Sequence, residues 1–478
     1  MLFDEAQRLC CRVSLDHRQY YPQVGWVEHD AEEIIANVYK GAGLLLEKSG
    51  VQPGDIASVA LTNQRETVVV WNALTGKPVY NAVVWQCQRG ADICRSLRQQ
   101  GYSALVQERT GLLIDPYFSA TGVKWILDNV PQARQEAEAG HLRLGTMDSW
   151  LIWNLTKGKV HACDTTNASR TMLFNIHDLR WDEDLLRLLT VPSSMLPEVK
   201  PCDSIFAYTD FNGLLPREVP VAGVLGDSHG ALVGQMCFEA GMGKATYGTG
   251  SSVMVNIGQT PRQAPDGLVT SVGFAALGRT WYAFEGNIHC TGATVKWMVD
   301  DLELLENSAQ SEALATQVPD NGGVYFVPAF AGLGAPWWQP EARALICGMS
   351  RGTKKAHVVR AALEAIAYQV TDLADLMTGQ AGITLKELRA DGGPAKNRFL
   401  MQFQANMLRS TVRVSPIEEA SALGAVVMNS IALGRHASLS EIAAGRTDGA
   451  VMTPQMDGQQ RDALMGQWHE AVRRTIGH

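Results

Sequence analysis

Apolar residues follow two rhythms along this chain. Short continuous runs bounded by polar or glycine-bearing turns predict buried strands at Ile56–Leu61, Val68–Trp71 and Val219–Leu225. The turn Thr75-Gly76-Lys77-Pro78 leads from the second run into Val79–Trp85 and predicts a hairpin. Helical spacing takes over at Tyr117–Val130, and Gly145–Leu155 reads as a strand or turn entering a helix. Pro192, Pro197 and Pro201 interrupt the pattern and predict a loop region. Further on, Leu363, Ile366, Ala367, Val370, Leu373, Ala374 and Met377 recur at i, i+3, i+4 and i+7, one face of a long amphipathic helix. A short strand at Glu387–Ala390, the turn Asp391-Gly392-Gly393 and a helix through Phe399, Met401, Phe403 and Met407 follow. A strand, a Gly-Gly turn and a helix N-terminus form a ready phosphate or nucleotide contact. Glu419–Ala425 begins a helix rich in small residues, suited to close packing.

These elements predict an α/β protein. At 478 residues the chain exceeds one hydrophobic core, so two large domains are expected, with the boundary near residues 230 to 245. No Ser/Gly-rich linker separates them, which predicts domains that touch along a cleft. The balance of 41 basic against 49 acidic residues, net −8, argues against nucleic acid or an anionic membrane as the main partner. The longest apolar run, Val324–Trp338, is broken by Pro328, Gly332, Gly334 and Pro336 and is too short to span a bilayer. The N-terminus has neither a basic n-region nor an apolar h-region. Nine scattered cysteines form no C-x-x-C pair. A soluble cytoplasmic protein with reduced thiols is expected.

Candidate chemistry gathers at strand ends. Asn63-Gln64-Arg65-Glu66-Thr67 lies between two strand segments; it is either a solvated hairpin tip or a set of donors and acceptors for a hydroxyl-rich substrate. Trp85 and Tyr117 are ordinary core aromatics unless they converge on Arg65 and Glu66. Asp227 ends an apolar strand and can cap the helix beginning at Ser228, act as a general base, or do both. His229 is the rival base. The turn Tyr247-Gly248-Thr249-Gly250 can face phosphate but lacks the lysine of a Walker A loop, and a tight hairpin explains it equally well. A carboxylate near such a turn is the minimal hardware for phosphoryl transfer.

Longer motifs carry a resemblance over essentially the whole chain. Asn63–Thr67, Asn81-Ala82-Val83-Val84-Trp85-Gln86, Ile114-Asp115-Pro116-Tyr117-Phe118-Ser119, the run Thr166–His177, Pro328–Pro336 and Asp391-Gly392-Gly393 together resemble the FGGY carbohydrate kinases, and within them the glycerol kinases. The resemblance implies two actin-like (ribonuclease H-like) ATPase domains flanking a catalytic cleft. Residues 1–236 would bind the polyol and 237–478 would bind ATP. It implies that Arg65, Glu66, Trp85, Tyr117, Asp227 and Ser228 hold the substrate, with Asp227 the catalytic base and a Mg²⁺ contact. Thr249, Gly250, Gly292, Lys296, Gly393 and Asn397 fall at or beside positions that meet ATP. The partners implied are a small polyol and ATP, with no nucleic acid and no membrane insertion; a homo-oligomer, dimer or tetramer, stays open.

The departures from the family pattern concern the same cleft. A first strand and phosphate hairpin of the Asp-Gln-Gly-Thr-Thr-Ser-Ser-Arg type would end just before Met1, so the first domain is expected without them and with a new sheet edge, either because the start codon is placed too late, the favoured reading, or because the segment is lost. Ser228-His229 stand where the family has Gln-Gln, Ser252 stands where an aromatic is expected, and Lys296 stands where a Gln is expected. The loop linked to fructose 1,6-bisphosphate inhibition is not visible around Thr209–Arg217. The expected activity is ATP-dependent phosphorylation of a primary hydroxyl of glycerol or a similar small polyol. The alternatives are a kinase for another polyol or ketose, and a regulatory paralogue impaired by the missing hairpin.

Overall fold

Strand alternation in this chain separates polar faces from apolar ones, and the sheets follow from it. The computed structural model describes residues 1–417, 419–445 and 449–477. In the first half, β1 (Val59–Asn63) and β3 (Val219–Gly226) are parallel neighbours, and Ile205–Thr209 pairs with the other side of β3. Between them in sequence, β2 (Val68–Asn72) joins a second, five-stranded sheet that includes Glu28–His29, Ala82–Val83 and Leu142–Thr146. The predicted hairpin is present, with Val79 N–H donating to Val70 O, but its return strand shrinks to Ala82–Val83. β1 is an edge strand of its sheet and borders a groove of about 850 Å³. The links from β1 to β2 and from β3 into helix α1 (Asp227–Gly234) leave the strands' C-terminal ends and carry the polar residues.

The second half is built on one seven-stranded sheet. Its centre is β4 (Met242–Tyr247), β5 (Ser251–Gly258), β6 (Arg279–Ile288) and β7 (Glu387–Gly392). Ala245, Tyr247, Val253, Val255, Phe284, Leu388 and Ala390 point to one face and enter the main core. Helix α2 (Gly292–Asp300) follows β6, and the long helix α3 (Lys355–Ala381) packs on the core face. The spacing predicts one apolar face for α3, yet the helix is buried nearly all round. Its polar positions are paired instead of solvated: Asp372 accepts from Trp468 Nε1 at 2.8 Å and His469 Nε2 at 2.7 Å, and Glu364 accepts from Arg360 Nε at 2.8 Å. Asp391 and Gly392 complete β7, and the turn that follows is made by Gly393 and a short 3₁₀ segment, Pro394–Lys396, before helix α4 (Arg398–Leu408).

Helix α5 (Ala420–Ala432) lies against α1, β1 and β3 and so joins the two halves. Small residues permit the approach. A Cβ on Gly424 would stand 2.0 Å from Gly230 O, and one on Gly234 would stand 2.0 Å from Ala420 O. Asn429 fastens the crossing by donating to Ala222 O at 2.8 Å, while Ser58 Oγ donates to Asn429 Oδ1 at 2.8 Å. The nine cysteines are free thiols. No described helix is long and apolar enough to cross a membrane.

Candidate active site

Two charged turns meet where the halves face each other. The chain leaves β1 through Gln64–Thr67, with Glu66 in the left-handed region at φ 60°. A non-glycine residue holds that conformation only where its surroundings dictate it. Here Thr67 N–H donates to Arg65 O at 2.6 Å, and Ser119 Oγ donates to Glu66 O at 2.7 Å. The turn is buried, so a solvated hairpin tip is not what forms. Arg65 donates through Nη1 and Nη2 to the two oxygens of Glu285 on β6, at 2.7 and 2.8 Å. Arg170 donates through Nε to Glu66 at 2.5 Å, and its Nη1 lies 3.0 Å from Glu285. Four buried charges thus form a closed network across the two halves. Burial would push Glu285 up, but Arg170 and Arg65 outweigh it and hold its carboxyl well below the usual carboxylate range. For Glu66 burial wins over Arg65 and Arg170, and its carboxyl is raised.

Asp227 stands beside this network and faces outward. It is the first residue of α1, with Gly226 in the capping position, so it is not itself the N-cap. Its carboxylate accepts from Ser228 N–H at 2.6 Å, lies 3.2 Å from Arg65 Nε, and keeps 49% of its side-chain surface exposed. Gly226 makes the contact possible, because a Cβ there would sit 2.4 Å from Arg65 Cγ. His229 is excluded as a base: it is fully buried, its Nε2 meets Ser271 Oγ at 3.0 Å, and burial followed by Arg65 drives it well below the ordinary histidine range. Ser228 is half-buried at the same helix end. Trp85 and Tyr117 do converge on the cluster. Their rings meet edge to face at 5.4 Å, and the Arg170 guanidinium lies 5.8 Å from the centre of the Tyr117 ring.

The second half contributes a set of glycine turns. Gly248–Gly250 form the tip between β4 and β5, closed by Gly248 N–H donating to Gly250 O at 2.8 Å, with Thr249 exposed. Gly292 N–H donates to Gly248 O and Ala293 N–H to Thr249 O, both at 3.0 Å, so the start of α2 is tied to this tip. A Cβ on Gly292 would meet Gly248 O at 2.4 Å and Pro394 Cγ at 3.4 Å, which brings the Gly393 turn to the same place. Asn397 caps α4, accepting from Leu400 N–H at 2.9 Å. The expected nucleotide residues Thr249, Gly250, Gly292, Gly393 and Asn397 therefore sit on neighbouring turns. Lys296 does not join them; it is exposed on α2 and paired with Asp300 one turn on.

Glu285 and Arg170 were not singled out from the sequence. Arg170 lies inside the run Thr166–His177 without a role of its own. The only signal for Glu285 is a charge amid apolar residues in Tyr282-Ala283-Phe284-Glu285-Gly286. Among the described residues no group of three or more His, Cys, Asp or Glu is arranged as a metal cage. A hard cation here would take one carboxylate from the protein and its remaining ligands from phosphate and water.

Comparison with known proteins finds relatives over the full length of the chain. The N-terminal domain model of the FGGY family of carbohydrate kinases matches residues 1–234, and the C-terminal domain model matches residues 243–433. The chain is 48% identical over 479 residues to glycerol kinase 2 of Thermotoga maritima, covering 100% of this chain and 96% of that protein. It is 47% identical over 476 residues to the glycerol kinase of Caldanaerobacter subterraneus subsp. tengcongensis, again covering 100% and 96%. The crystal structure of Plasmodium falciparum glycerol kinase with ADP superposes with a TM-score of 0.94 at 35% identity, over 99% of this chain and 95% of that one. A ligand-bound xylulose kinase from Lactobacillus acidophilus, at 19% identity and a TM-score of 0.88 over 99% and 95%, shares the fold.

Proposed function

The chain belongs to the FGGY family of carbohydrate kinases, and from that we propose that it transfers the γ-phosphoryl group of ATP to a primary hydroxyl of glycerol, giving glycerol 3-phosphate and ADP. The observation that carries this reading is the half-exposed Asp227 carboxylate, held 3.2 Å from Arg65 Nε at the end of β3. In the proposed reaction a glycerol hydroxyl gives its proton to Asp227 as its oxygen attacks the γ-phosphorus, and the bond to the β–γ bridging oxygen breaks to release ADP. Arg65 and Glu66 orient the other hydroxyls, and both are pre-set by Glu285 and Arg170, so little reorganisation remains at the moment of reaction. Trp85 and Tyr117 supply an aromatic wall for the carbon chain.

The glycine turns at Gly248–Gly250, Gly292 and Gly393, with Asn397, are the proposed nucleotide grip. Backbone N–H groups there can approach phosphate closely because no side chain intervenes. Mg²⁺ arriving with the nucleotide would offset the negative charge of the phosphates. Asp227 fits the part of its single protein carboxylate, since half of its surface is open to the cleft. The test is an ADP-release assay with ATP, Mg²⁺ and glycerol, with the product identified by mass. Glycerol-dependent ADP release with formation of glycerol 3-phosphate supports the reading, and ATP consumption independent of glycerol, or none, overturns it.

A further inference from the structure

Thr166 and Asn167 open the run Thr166–His177 and lie buried on the short helix Thr165–Ala168, which packs against β3. Asn63 and Gly226 form the last register pair of the parallel strands β1 and β3. Beyond that pair β1 runs on to Arg65 and Glu66, and β3 to Asp227, so the ladder no longer sets the distance between them. The two buried side chains take over. Thr166 Oγ1 accepts from Gly226 N–H at 2.9 Å, one residue before Asp227. Asn167 and Asn63 exchange amide hydrogen bonds, Nδ2 to Oδ1 in both directions, at 3.0 Å. Asn63 Nδ2 also donates to Gln64 O at 2.9 Å, the carbonyl of the peptide that leads into Arg65.

Asp164 sets the direction of the amide pair. It caps the short helix, accepting from Thr166 N–H at 2.7 Å and from Asn167 N–H at 3.0 Å. The same Oδ1 that takes the Asn167 N–H takes Asn167 Nδ2 at 2.7 Å. An amide oxygen could not face that acceptor, so Asn167 must turn its Oδ1 to Asn63, and Asn63 is oriented in consequence. Both amide nitrogens use both hydrogens, and neither side chain can flip without leaving a buried donor unpaired. One anchored clasp thus holds the two strand ends whose side chains meet at 3.2 Å, Arg65 Nε against Asp227. We propose that Thr166 and Asn167 are positioning residues for the phosphoryl transfer. Thr166, through Gly226, keeps Asp227 where it can take the hydroxyl proton, and Asn167, through Asn63, keeps Arg65 on the substrate. The inference rests on the reaction proposed for this cleft, and it makes the two arms fail differently, Thr166 in the chemical step and Asn167 in glycerol binding.

The experiment measures single-turnover rates at saturating ATP, Mg²⁺ and glycerol, with calorimetric Kd values for glycerol and ADP, in the full-length wild type, Thr166→Val, Thr166→Ser and Asn63→Ala. Valine keeps the shape of threonine and removes the acceptor, while serine keeps the acceptor and removes the methyl group. Misplacing a reacting group by about 1 Å can cost a hundredfold, so Thr166→Val should slow single turnover at least about tenfold with glycerol Kd within about twofold, and Thr166→Ser should recover most of the rate. Asn63→Ala should raise the glycerol Kd at least about fivefold and leave the ADP Kd unchanged. That split, with rescue by serine, supports the inference. A Thr166→Val rate close to the wild type, equal losses in Thr166→Val and Thr166→Ser, or an unchanged glycerol Kd in Asn63→Ala overturns it and leaves the proposed function standing. Should Thr166→Val fail to fold, Asn63→Ala decides alone: a raised glycerol Kd with the ADP Kd unchanged supports the inference, and a wild-type Kd or a second failure to fold overturns it. A wild-type protein that does not phosphorylate glycerol overturns this inference and the proposed function together.

Discussion

Removing Glu285 should weaken a buried, charged contact between the two halves. Its carboxylate is 2% exposed, accepts from Arg65 at 2.7 and 2.8 Å, and has Arg170 Nη1 at 3.0 Å. In Glu285→Ala both guanidinium groups stay buried and must share Glu66 and the half-exposed Asp227. Breaking a buried ion pair from one side costs about 3–5 kcal/mol, most of it the burden of the uncompensated partner. Glu285→Gln keeps the shape and one acceptor, so a smaller loss of about 1–3 kcal/mol is expected. The same substitutions should alter the acid limb of stability. The folded carboxyl is held below its unfolded value, so its contribution is fully present above about pH 4.3, declines steadily as pH falls below that, and is gone once pH has passed the lower folded value. Glu285→Gln should therefore lose most stability near neutrality and approach the wild type in strong acid. Guanidinium unfolding followed by tryptophan fluorescence from neutral to acid pH reads both effects. A Glu285→Ala protein that unfolds at the wild-type midpoint would refute the assignment of Glu285 as the hub of the network.

Other expectations follow from packing and from a second buried charge cluster. Gly424→Ala pushes a methyl toward Gly230 O, 2.0 Å from the ideal Cβ, and should destabilise the α1–α5 crossing by at least about 1–3 kcal/mol. Gly43→Ala, within the helix Ala31–Ser49 and with nothing within 4 Å of the added Cβ, should instead stabilise by about 0.5–1 kcal/mol; thermal unfolding of the pair gives opposite signs. Asp148 and Asp164 are fully buried neighbours, and burial followed by the charge of Asp164 raises the Asp148 carboxyl. The folded state then holds a proton that the unfolded chain releases near pH 4, so stability falls as pH rises above that value. In Asp148→Asn that fall should flatten in a pH series of unfolding midpoints.

Local signals in the chain carried much of this site, and contacts distant in sequence carried the rest. Arg65, Glu66 and Asp227 are legible because they follow apolar strands, where a polar turn stands out against its flanks. The small residues of Glu419–Ala425 likewise announce a close helix crossing, and Gly424 against Gly230 is that crossing. Glu285 was not legible, because its reason for being there is Arg65, 220 positions earlier in the chain. On α3 the pair Arg360–Glu364 is local, one turn apart on the same helix, but the partners that complete the burial of Glu364 and Asp372, namely Asn321, Trp468 and His469, are distant in sequence and become visible only in the folded chain. Lys296 leaves two readings open in the sequence, a phosphate contact or a solvent-facing lysine, and on the helix it is exposed and paired with Asp300.

The central claim, that Asp227 takes the proton from the attacking hydroxyl, is tested most directly by Asp227→Asn. That change keeps the size of the side chain and removes its ability to accept a proton. General-base catalysis contributes about 10²–10⁴-fold, so glycerol phosphorylation in single-turnover measurements should slow by at least about a hundredfold, while calorimetry still detects glycerol binding. An Asp227→Asn protein that phosphorylates glycerol at close to the wild-type single-turnover rate would contradict the account.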